Sequence, residues 1–119
     1  MKRDKVHKIR IETYDCFIDL VLTDDLPKVA KKFYKKFKWE IPNDLDASGW
    51  FFSFQDQYYI ILGHTCTVKT LAHEALHASI HILSNRGVKT TTSNHEALTY
   101  LHDSIVGQLA QKVQLIIEY

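Results

Sequence analysis

The sequence predicts an α+β fold: a small, mostly antiparallel sheet made of two hairpins, packed on three helices. Apolar residues alternate with period two from Val6 to Leu22 and again from Gly49 to Gly63, which is the signature of half-buried strands. Elsewhere they recur with helical spacing, from Leu26 to Phe37, around His73 to His81, and from Leu98 onward. Polar, Pro- and Gly-containing stretches separate these segments.

In the first segment Ile9, Ile11 and Thr13 alternate with Arg10, Glu12 and Tyr14. Cys16, Ile18, Leu20 and Leu22 then alternate with Phe17, Asp19 and Val21. A turn at Tyr14-Asp15 makes this a hairpin, with one long bent strand as the alternative. Thr23-Asp24-Asp25 caps the next helix, where acidic side chains suit the positive helix end and Pro27 is tolerated near the start. Val29, Phe33 and Phe37 form its core stripe, with Leu26 and Ala30 beside them. Lys28, Lys31, Lys32, Lys35, Lys36 and Lys38 form the opposite face, read as a solvated surface rather than a membrane or nucleic-acid contact.

Glu40 to Ser48 reads as a loop. Trp50, Phe52 and Phe54 alternate with Phe51, Ser53 and Gln55. Asp56-Gln57 makes the turn, and Tyr58 to Leu62 returns as a strand apolar on both faces, hence central or covered. Gly63 to Thr67 reads as a link, with Thr65 or Thr67 as the cap of the following helix and His64 as a loop or site-rim residue. That helix runs from about Thr67 to Ser84 and ends at Asn85-Arg86-Gly87, with Gly87 a suitable C′ residue. After the polar loop Lys89 to Ser93, a last helix is expected from about Asn94 towards Glu118, capped by Ser93 or Asn94. Its core stripe is Leu98, Leu101, Ile105, Leu109, Val113 and Ile116.

The chemistry concentrates in Thr70 to His77, which contains His73-Glu74-x-x-His77. On a helix, positions i and i+4 share a face, so both imidazoles can meet one metal ion while Glu74 reaches a water bound to it. Zinc is the expected ion, since it takes neutral nitrogen ligands and keeps an open position in catalytic sites. Glu96 is the candidate third ligand, because a helix returning antiparallel would bring it beside His73 and His77. His81 continues the row, but a straight helix spans about 12 Å from i to i+8, so His81 is read as a neighbour and as the ligand only if Glu96 is not. Tyr100 and Asp103 share the Glu96 face. Tyr100 is a candidate hydrogen-bond donor to a developing oxyanion, or else a half-buried packing residue. His95 and His102 are read as surface residues.

These residues resemble the gluzincin metallopeptidases, the thermolysin-like zincins, in which H-E-x-x-H is followed on a later helix by a ligand Glu. The matching positions are His73, Glu74, His77 and Glu96, with Ala97 following Glu96. The chain is similar also to short phage-encoded H-E-x-x-H proteins. The resemblance covers about Tyr58 to Leu109. It implies a compact zincin-like domain with this helix at its centre, bound zinc, and hydrolysis of a peptide or protein substrate that adds as a strand to a sheet edge beside the helix. Where larger gluzincins carry an Asp one turn after the ligand Glu, this chain has Tyr100, and Asp103 is the nearest substitute. The alternative is a non-catalytic zincin-fold binding module, for example a phage protein acting on a host protein.

With 119 residues, 45% of them apolar, the chain is expected to form one domain with a core of its own. Its 15 basic and 14 acidic side chains give no global argument for nucleic acid or an acidic partner. Cys16 and Cys66 do not make a disulfide framework. No apolar run is long enough to span a membrane and no leader pattern opens the sequence, so the expected location is the cytoplasm.

Overall fold

The computed structural model describes residues 2–43 and 47–116. In chain order the elements are β1 (Lys5–Ile11), a one-turn 3-10 helix (Glu12–Tyr14), β2 (Cys16–Thr23), α1 (Leu26–Lys36), β3 (Gly49–Phe54), β4 (Gln57–Gly63), β5 (Thr65–Thr67), α2 (Val68–Asn85), α3 (Glu96–Ala110) and β6 (Gln114–Ile116). The fold is α+β, with a four-stranded sheet in the order β1-β2-β4-β3 and a two-stranded sheet of β5 and β6.

Both hairpins form. β1 pairs antiparallel with β2 from Lys5↔Leu22 to Ile11↔Cys16. The hairpin, not the bent strand, is realised because the 3-10 turn and Asp15, at φ 48°, reverse the chain. β3 pairs antiparallel with β4 from Gly49↔Leu62 to Phe54↔Gln57. The hairpins join through parallel pairing of β2 with β4, Ile18↔Tyr58 to Thr23↔Gly63, so the two inner strands are the apolar ones and β4 is central as expected.

Strand alternation sorts the core into two layers. Ile18, Leu20, Leu22, Tyr58, Ile60 and Leu62 point at α2 and α3, meeting Leu71, Ala75, Ala78, Ile82, Leu101, Ile105 and Leu109. On the other face Val21, Tyr59, Ile61 and Phe52 meet Val29 and Ala30 of α1, walled by Phe33, Tyr34, Phe37, Trp39 and Trp50. This second layer is held by ring contacts, among them Phe33 stacked on Phe52 at 5.3 Å and edge-on to Tyr59 at 4.9 Å.

Helix ends follow local chemistry except at α3. The Asp25 side chain accepts from the Lys28 amide at 3.2 Å and caps α1. Of the two threonines offered for α2, Thr67 is the cap, its Oγ1 accepting from the Thr70 amide at 3.1 Å. Gly87 closes α2 at φ 72°, and the Val88 amide donates back to the Leu83 carbonyl at 2.9 Å. Neither Ser93 nor Asn94 caps α3. Asn94 turns its amide to the Lys89 carbonyl, Ser93 pairs with Thr91, and the helix starts at Glu96 with no side-chain cap.

α3 is also shorter than expected. It stops at Ala110, and Gln114–Ile116 is a strand parallel to Thr65–Thr67, so Val113 and Ile116 are not on a helical stripe. The apolar run at Leu115 and Ile116 finds partners in the Thr65–Thr67 backbone, and the Gln114 amide donates to the His64 carbonyl at 2.9 Å. The expected continuation to Glu118 lies partly outside the described residues. Among those described, no helix is long and apolar enough to cross a membrane.

Candidate functional site at the edge of the sheet

The Thr67 cap fixes where α2 begins and so which residues share its faces. Leu71, Ala75, Ala78 and Ile82 face the sheet, while His73 and His77 stand one turn apart on the exposed side. Their Nε2 atoms are 3.1 Å apart and their rings are nearly perpendicular, at 80°. Two nitrogens bound to one tetrahedral zinc are about 3.3 Å apart, from Zn–N distances of about 2.0–2.1 Å. The pair therefore fits two corners of such a site.

Glu74 lies between the histidines and the sheet and is only 6% exposed. Burial raises the pKa of its carboxyl, while His73 and His77 pull in the opposite direction. The carboxylate is accommodated because β3 opens with glycine. A Cβ on Gly49 would stand 2.9 Å from Thr70 Cγ2 and 3.1 Å from Glu74 Cγ. Further along the same face, the Phe51 ring lies nearly parallel to His77 at 6.2 Å and 4.9 Å from His81. His81 Nδ1 is 3.2 Å from Ser53 Oγ. Gly49, Phe51 and Ser53 thus support Glu74, His77 and His81 in order.

These residues line a groove of about 480 Å³ at the outer edge of β3. His73, Glu74, His77 and His81 form one wall; Tyr34, Trp39, Trp50 and Phe52, from the other layer, form the opposite one. Among the described residues β3 pairs with β4 alone, so its other edge faces the groove. The two-residue turn Gln55-Asp56 closes on the Phe54–Gln57 pair, and bonded and non-bonded pairs alternate from there in an antiparallel ladder. Trp50 and Phe52 therefore direct their backbone groups at β4, while Gly49, Phe51 and Ser53 direct theirs at the free edge.

Of the residues singled out in the sequence, His73, Glu74 and His77 come together. Glu96 does not join them: it is the exposed first residue of α3 and does not line the groove. Tyr100 is 67% exposed and lines a separate, larger cavity of about 770 Å³ between α3 and the first hairpin, with Arg10, Glu12 and Tyr14. The residue α3 brings to the motif is His102, half-buried rather than on the open surface, its Nε2 donating to the Ala72 carbonyl at 3.0 Å. His64 is buried at 8% exposure between β4 and β5, away from the groove. Among the described residues no three His, Cys, Asp or Glu side chains are grouped closely enough to hold an ion. Comparison with known proteins adds nothing to this geometry. No family model, curated protein or solved structure matches the chain.

Sequence reasoning missed Gly49, Phe51, Ser53 and the two tryptophans as site residues. The period of two in Gly49 to Phe54 was the available signal, but which face met α2 depended on the sheet order.

Proposed function

We propose that this chain is a zinc-dependent peptide hydrolase of the gluzincin-like kind, acting in the cytoplasm on an extended peptide or protein segment. The observation that carries the reading is the 3.1 Å approach of His73 and His77 Nε2 above a buried Glu74, beside a strand edge that is unpaired among the described residues. His73 and His77 would hold the ion. Bound zinc supplies an acidified water and polarises a carbonyl. Glu74 accepts the proton of the attacking water and passes it to the leaving amine, a task suited to a carboxyl whose burial makes it hold a proton more readily than usual. The β3 edge binds the peptide through the backbone groups of Phe51 and its alternate neighbours, aligning it along α2. His81, held by Ser53, lies further along the groove and orients the bound segment. Glu96 and Tyr100 have no role in this reading.

The test is metal analysis and peptide turnover of the parent chain, Glu74→Gln and His77→Ala. Parent and Glu74→Gln are expected to hold about one zinc per chain, His77→Ala none, and only the parent to cleave peptides. A second reading is favoured by the lack of a third protein ligand beside the pair among the described residues: a zincin-fold module that binds a protein, such as a host protein, without cutting it. Zinc retention with no turnover of any library peptide would select it.

A further inference from the structure

The groove has two unlike walls, and strand geometry assigns different substrate residues to each. A peptide added antiparallel along β3 bonds to the outward backbone groups of Gly49, Phe51 and Ser53. The peptide residues opposite Trp50 and Phe52 then occupy non-hydrogen-bonded positions, where cross-strand side chains come closest. Both lie on the α1 side, and they are two residues apart. The peptide residue between them faces the opposite way, towards Phe51, His77 and His81.

The α1 side is a wall of flat rings. Trp50 and Trp39 each stack on Phe52, at 5.8 Å and 6° from parallel in the first case and 5.9 Å and 20° in the second, and Tyr34 stands edge-on to both tryptophans. Trp39, Trp50 and Tyr34 are only half-buried, so their outer surfaces are open to the groove. Lysines of α1 are exposed outside it and do not line this wall.

We propose that the segment taken by this groove carries large apolar side chains, aromatic by preference, at two positions separated by one residue, and that Trp39 and Trp50 are the specificity-determining residues. This rests on the edge-strand reading above and adds the sequence class. Aromatic cross-strand partners on both positions favour such a segment about tenfold over one lacking them.

The chain has two tryptophans, and both line the groove, so indole fluorescence reports occupancy without any turnover. Three Thr/Val-based octapeptides would be titrated into zinc-loaded Glu74→Gln: one with Phe-Thr-Phe at its centre, one with adjacent Phe-Phe, and one with Ser-Thr-Ser. The alternating peptide is expected to bind about tenfold tighter than Ser-Thr-Ser and about threefold tighter than adjacent Phe-Phe, which fills one of the two positions, and to shift the emission. Trp50→Leu and, separately, Trp39→Leu should remove most of that preference; either variant that keeps the parent circular dichroism spectrum suffices. Equal affinity for the three peptides, or binding that leaves the emission unchanged, overturns the proposal. The two readings fail separately. Cleavage by the parent without aromatic preference removes this inference and leaves the hydrolase; aromatic-selective binding with no cleavage does the reverse.

Discussion

At the scale of single residues, the site depends on a glycine as much as on its histidines. Gly49 lets β3 approach α2 closely enough for Glu74 to be covered. Thr70 cannot yield easily, because its Oγ1 is tied to both Thr67 and Ser48. Gly49→Ala is therefore expected to cost about 1–3 kcal/mol by overpacking and to move the Glu74 carboxylate; under the proposed hydrolase function it lowers turnover while leaving zinc content intact. Urea denaturation and metal analysis of the purified variant would check it; an Ala variant as stable and as active as the parent would mean the close approach is relieved without cost. The i, i+4 histidines and the intervening Glu were legible in the sequence because helix geometry alone aligns them. Gly49 was not, since its neighbour Thr70 is distant in the chain.

At the scale of elements, α2 is fixed at both ends by side chains the sequence offered. The Thr67 hydroxyl caps its start, and Thr67→Ala should lose about 1 kcal/mol, measured as a lower urea midpoint with an unchanged slope. At its other end Arg86 joins both hairpin turns, donating from Nε and Nη2 to the Tyr14 carbonyl and from Nη1 to Asp56 at 2.8 Å. The hydrogen bond from Arg86 holds the Asp56 carboxyl below its ordinary pKa. A depressed folded-state pKa contributes stability above the unfolded value, and that contribution is lost as pH falls through the folded value. Acid titration of the parent should thus show a loss of stability below about pH 4 that is smaller in Arg86→Ala, where the Tyr58 hydroxyl still donates to Asp56. Asp56 is exposed and Arg86 only partly so, which keeps the increment small, and most of the loss in Arg86→Ala comes from the unsatisfied Tyr14 carbonyl.

The same scale explains where the sequence reading stopped. Strand periods placed both hairpins, yet no local feature says that β2 lies beside β4 and leaves β3 outside. The α3 start moved because Asn94 found the Lys89 carbonyl, a loop contact that outcompeted the cap. With that start, Glu96 falls on the solvent side and His102 on the α2 side, so the third-ligand expectation failed to find support at the level of helix register. The α3 end moved because Gln114–Ile116 could pair with Thr65–Thr67, a long-range choice invisible to a helical stripe.

At the scale of the whole molecule, the groove lies where the two core layers meet at the sheet edge, so occupancy of the site is coupled to folding. A metal ion that binds the folded chain and not the unfolded one stabilises it by mass action, about 2.7 kcal/mol at a hundredfold excess over its dissociation constant. For a domain of this size that corresponds to a rise of roughly 10 °C in melting temperature. Thermal denaturation with increasing zinc should show this rise in the parent and in Glu74→Gln, and His77→Ala should abolish it. Magnesium, which prefers oxygen ligands, should produce no comparable shift. A zinc-dependent rise of equal size in His77→Ala would place the ion elsewhere, for example on other surface histidines, and would remove the basis for assigning Glu74 a catalytic proton.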